Sequence, residues 1–144
     1  VRGCFDKTGI YDNDCYKGFQ AINPIQFRDI SKENASEYKG SILKENIDYL
    51  DSIISISKKN NSEIYFVVSP TYIKGSKRMT NLEEQMARFE KLAKERGITF
   101  MNYTNDSLCY NENIFADFYH MKKTGAEMFS EKFALDFKNL LSVE

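Results

Sequence analysis

Ile64-Tyr65-Phe66-Val67-Val68 is a run of five apolar residues with no polar alternation, closed by Ser69-Pro70. A strand with one face in water alternates in hydrophobicity, whereas a continuous apolar run is the pattern of a strand covered on both faces. The run therefore points to a sheet with helices on either side. The flanking sequence agrees. From about Ser41, the residues Leu43, Ile47, Leu50 and Ile54 recur at helical spacing, and Lys58-Lys59-Asn60-Asn61 ends that element with positive charge and a turn. Downstream, Thr80-x-x-Glu83 has the form of a capping box and opens a second helix with Leu82, Met86, Phe89 and Ala93 on one face. Gly97 stops this helix after Lys94-Glu95-Arg96. Ile98 to Tyr103 is the next strand. Thr124-x-x-Glu127 is a second capping box, starting a last helix whose buried stripe is Ala126, Phe129, Phe133, Phe137 and Leu140.

This order of helix, strand, helix, strand, loop and helix predicts a parallel sheet with helices on both faces, a three-layer α/β/α domain. At 144 residues the chain is one domain, with an irregular segment over 1–40 and an α/β core over 41–144. The irregular segment carries Gly3, Gly9, Gly18 and Pro24 among scattered aromatics, and reads as loop with one short strand. Two clear strands leave sheet edges to satisfy. Further strands are expected from the N-terminal stretch or from a half of the domain that lies outside this chain, making the sheet incomplete on its N-terminal side. An edge left open would be covered by the first 35 residues or by a second copy, a homo-oligomer. Ligands of such sheets bind beyond the carboxyl ends of the strands, where Ser69-Pro70-Thr71 and the segment Asn102 to His120 fall.

The 20 basic and 21 acidic residues are spread along the chain, for a net charge of -1, so no basic stripe exists to neutralise a phosphate backbone and nucleic acid is not an expected partner. No apolar run approaches the ~20 residues of a membrane span. The N-terminus, Val1-Arg2-Gly3-Cys4, lacks both an initiator Met and the apolar region of a signal peptide. The expectation is a processed product or an excised part of a longer chain, exported or associated with the cell envelope if a leader was removed. Cys4, Cys15 and Cys109 are an odd count without a C-x-x-C pair. This favours unpaired thiols and leaves a Cys4–Cys15 bridge open.

His120 is the single histidine, and it follows Asp117 by three residues in Asp117-Phe118-Tyr119-His120, where a loop gives way to the last helix. At that spacing the carboxylate reaches one imidazole nitrogen and leaves the other as a proton acceptor, the arrangement a nucleophile needs beside it. A metal held by these two with Asp106 or Glu112 is not expected, because one histidine and no second ligand motif make a poor donor set. No cofactor is expected. Lys74, Lys77 and Arg78 could clamp an anionic substrate, although a solvated charged loop explains them more simply.

Asp117-x-x-His120-Met121-Lys122-x-x-Gly125-Ala126-x-x-Phe129-Ser130 resembles the last conserved block of the SGNH/GDSL hydrolases, whose usual form is Asp-x-x-His-Leu-Asn-x-x-Gly-Ala. The strands ending in Val68-Ser69-Pro70 and Asn102-Tyr103-Thr104 are similar to the later strands of that flavodoxin-like fold, and the resemblance spans about residues 41 to 141. It implies a serine esterase or acyltransferase acting on a carbohydrate or other small ester, in which Asp117 orients His120 and His120 carries the proton. Met121 and Lys122 depart from the pattern. So does the lack of a recognisable Gly-Asp-Ser block and of the oxyanion glycine and asparagine, which places the nucleophile upstream or makes it lost. Ser69 is the serine best placed by position, but Pro70 after it has no N–H to offer an oxyanion. Ser69 and Lys122 are accordingly assigned to the substrate side. The alternative is a non-catalytic domain that keeps this fold for binding and has lost its nucleophile.

Overall fold

The computed structural model describes residues 15–16, 19–20 and 36–142. Two compact units divide the chain, Asn34–Tyr110 and a second formed by Val1–Glu33 with Asn111–Glu144. In the second unit β1 (Cys15–Tyr16) and β2 (Phe19–Gln20) pair antiparallel, Cys15 opposite Gln20 and Tyr16 opposite Phe19. The N-terminal stretch thus supplies two short strands that pair with each other, in a sheet separate from the larger one. The question of a Cys4–Cys15 bridge lies outside the described residues.

The first unit holds α1 (Lys44–Lys59), β3 (Tyr65–Val68), the short α2 (Ile73–Ser76), α3 (Leu82–Arg96) and β4 (Thr99–Asn102). The strands pair in parallel, Tyr65 with Thr99 through Val68 with Asn102, and the Tyr103 amide extends the ladder by donating to the Val68 carbonyl at 3.0 Å. A parallel pair needs a crossover, which the helix α3 supplies while packing on β4. The architecture is mixed α/β, with four α-helices and a two-strand parallel sheet among the described residues. Val67 remains 39% exposed, and its three neighbours in β3 are half-buried. The expectation of a strand covered on both faces is corrected here: two strands and their helices do not cover the Val67 side.

α3 stops as its sequence demands. Gly97 takes the left-handed conformation (φ 65°), its amide donates to the Lys94 carbonyl at 3.2 Å, and the Ile98 amide reaches the Ala93 carbonyl at 2.9 Å. This double closure needs a residue with φ > 0, which glycine adopts without strain. The helix starts do not follow their expected capping boxes. α3 has Asn81 at its cap, and the Asn81 side chain is spent elsewhere, accepting from the Gly40 amide at 2.9 Å and donating to the Gly40 carbonyl at 3.0 Å. The Thr80 hydroxyl points to the Tyr38 carbonyl at 3.4 Å. A strap at residues 36–40 has taken the polar groups that would otherwise cap the helix. α4 (Lys123–Leu141) is capped by Lys122 without any side-chain bond, so the Thr124 box is not formed either.

On α4 the stripe Phe129, Phe133 and Phe137 is half-buried rather than buried, with successive ring centroids 6.1 and 5.7 Å apart. The most deeply buried large side chains include Phe115 and Cys109, in the segment between β4 and α4. That segment is built from turns in which a side chain replaces a backbone acceptor. Asn102 Oδ1 accepts from the Thr104 amide at 3.0 Å, Asp106 Oδ1 from Leu108 at 2.9 Å, and Asn111 Oδ1 from Asn113 at 3.2 Å. Asn and Asp favour such turns because a short polar side chain competes with the helix for the amide two residues on.

Candidate active site

The next turn of this kind carries Asp117 and His120, the candidate acid and base. Asp117 Oδ1 accepts from the amides of Tyr119 and His120, each at 2.8 Å, which bends the chain so that the His120 ring comes back over the same carboxylate. Nδ1 of His120 lies 2.9 Å from Oδ1 and 2.7 Å from Oδ2. An ionised carboxylate only accepts, so Nδ1 carries the proton and Nε2 of the neutral ring keeps a lone pair. The three-residue spacing thus does what its sequence implied: one carboxylate fixes both the loop and the tautomer.

Burial pushes the Asp117 carboxyl up, but the Tyr119 amide and the ring and amide of His120 outweigh it and hold the group below the ordinary carboxylate value. The charged form is the one the loop is built around. Beneath it the backbone is anchored by apolar side chains: Phe115 is fully buried, and Ala116 and Phe118 nearly so. Tyr119 meets Phe118 edge-to-face at 6.4 Å and stays partly exposed. The anchored turn presents the imidazole outward, 65% exposed.

Lys122 follows at the cap of α4, half-buried, with its amide donating to the Ile114 carbonyl at 2.8 Å. Ser69 lies in the other unit, exposed at the carboxyl end of β3 and followed by the buried Pro70. In the dyad's own unit, the described serines are Ser130 and Ser142. Each gives its hydroxyl to a carbonyl one turn back in its helix, Ala126 at 2.7 Å and Lys138 at 2.8 Å. Cys109 is no substitute nucleophile. Its thiol is buried and donates towards the carbonyls of Tyr103 and Thr104 at 3.3 and 3.4 Å, and burial pushes its pKa up, away from the reactive thiolate.

Of the basic loop, Arg78 donates to the Ser36 carbonyl at 3.2 and 3.1 Å, and Lys74 sits 5.7 Å from the Tyr72 ring centroid. Both are engaged by the protein itself. A cleft of about 210 Å3 lies between α3 and the end of β4, lined among others by Glu83, Met86, Glu90, Asn102 and Asn105. No group of three or more metal-ligating side chains occurs among the described residues, and no described helix is long and apolar enough to cross a membrane.

Sequence reasoning anticipated the contact between Asp117 and His120 but missed the two amides that hold the carboxylate, since every residue but proline would supply an N–H at 119. It also missed Phe115 and Phe118 as anchors, because turns have no hydrophobic period to read. No family model, curated protein or solved structure matches this chain.

Proposed function

We propose that the chain is the C-terminal part of an SGNH-hydrolase-like domain, three-layered and flavodoxin-like, that hydrolyses or transfers a small acyl ester on a carbohydrate or similar substrate. The observation that carries this is the His120 ring, fixed through Nδ1 by a carboxylate that is itself fixed by two amides. In this reading Nε2 of His120 takes the proton from a serine hydroxyl as that oxygen attacks the ester carbonyl. Asp117 stabilises the imidazolium so formed, and His120 then returns the proton to the leaving alcohol. In this reading the serine and the oxyanion donors come from outside residues 1–144, while Ser69 and Lys122 contribute on the substrate side. A non-catalytic binding domain is the second reading, favoured by the engagement of Ser130 and Ser142 with their own helix.

The test is turnover of p-nitrophenyl acetate and of acetylated sugars by the full product of the gene. Activity should fall by roughly 10^6-fold in His120→Ala. Residues 1–144 alone should show none, since oxyanion donors by themselves are worth about 3 to 4 kcal/mol of barrier. Turnover that survives His120→Ala would overturn the hydrolase reading, and sugar binding without turnover by the full product would establish the second.

A further inference from the structure

The Asp117–His120 turn is closed at its base by three contacts. The Ala116 amide donates to the His120 carbonyl at 2.7 Å, Phe115 and Met121 form an antiparallel bridge, and the Lys122 amide donates to the Ile114 carbonyl at 2.8 Å. Ile114 in turn lies against the first turn of α4 at Gly125. A Cβ at position 125 would stand 2.5 Å from the Ile114 carbonyl oxygen and 2.9 Å from Ile114 Cβ. Real Cβ atoms do not approach so closely, and the nearer contact is backbone, not the end of a flexible side chain. It is also the very oxygen that accepts from Lys122, so it cannot retreat without straining the clamp. Gly125 is buried inside a helix, where glycine is disfavoured. Space, not conformational freedom, is what the position requires.

We propose that Gly125 is a positioning residue for the Asp117–His120 pair. By letting α4 approach the Ile114 carbonyl, it sets the height of the clamp and therefore the place of the imidazole over its carboxylate. The proposal rests on the hydrolase reading, in which the ring protonated on Nδ1 is the working tautomer.

The 15N spectrum of the single imidazole tests it directly, at a pH where the ring is neutral. Wild type should show the Nδ1-protonated tautomer, and Gly125→Ala should move toward the mixed tautomers of Asp117→Asn with its far-UV circular dichroism unchanged. A Gly125→Ala ring indistinguishable from wild type overturns the proposal. If Gly125→Ala does not fold, Lys122→Pro decides instead. The Lys122 φ of -67° suits proline and its neighbour Met121 is extended in the bridge, so the change removes the amide donor, while Lys122→Ala removes the side chain alone. Mixed tautomers in Lys122→Pro with a wild-type ring in Lys122→Ala support the clamp, and no difference between the two sinks it. Ester turnover absent from every variant of the full gene product would count against the hydrolase reading, while the ring spectra still decide the role of Gly125.

Discussion

The β3–α3–β4 unit and the Asp117–His120 turn are held by opposite means. The first depends on a backbone ladder and apolar burial, and the burial is partial: Val67 is exposed and the rest of β3 half-covered. The second is a surface turn seated on a fully buried phenylalanine and tied by one carboxylate to two amides and a ring. β3 is thus incompletely covered, even though Ala93 of α3 is buried. The Asp117–His120 pair is the more over-determined, and a pair so held would keep its geometry without a bound ligand.

Phe115→Ala should break the comparison most strongly. Emptying a fully buried aromatic site is expected to cost about 3–5 kcal/mol in urea unfolding. A loss below about 1 kcal/mol, the scale of a surface change, would mean that the turn is not held from beneath. Gly97→Ala attacks the other region. An L side chain at φ 65° should cost about 1–2 kcal/mol, with the His120 ring spectrum unmoved if the turn is independent of α3. Disturbance of the ring would show that the two regions are coupled.

The smallest effect is one of pH. The folded Asp117 carboxyl titrates below its ordinary value of 3.8, so its contribution to stability is complete above that pH and drains away as the pH falls through the lower folded value. Thermal unfolding between neutral pH and about pH 2 should therefore show a loss below about pH 4 that is reduced in Asp117→Asn. Equal acid sensitivity in the two proteins would remove the carboxylate from the turn's support.

The parts of this fold legible in the sequence are those set by local chemistry. Gly97 after Lys94-Glu95-Arg96 announced the end of α3, and Asp117 three residues before His120 announced a carboxylate–imidazole contact. The Thr80-x-x-Glu83 box was misleading, because Thr80 and the cap residue Asn81 bond a strap about forty residues earlier, and local pattern does not contain that competition. The apolar run Ile64–Val68 stated a need for cover that the described elements meet only in part. Phe115 and Phe118 were silent for a different reason: their burial follows from turns whose register no periodicity encodes.

The bonds of the Asp117 turn have a kinetic consequence. They span two to eight positions along the chain, whereas the β3–β4 ladder must bring Tyr65 to Thr99 across a whole helix. The entropy of loop closure grows with length, so little chain entropy is lost in forming the turn and more in forming the sheet. During refolding Asp117 and His120 can meet repeatedly on the timescale of short-loop closure, before the ladder exists, and the slower assembly of the rest has only to seat a turn already inclined to form.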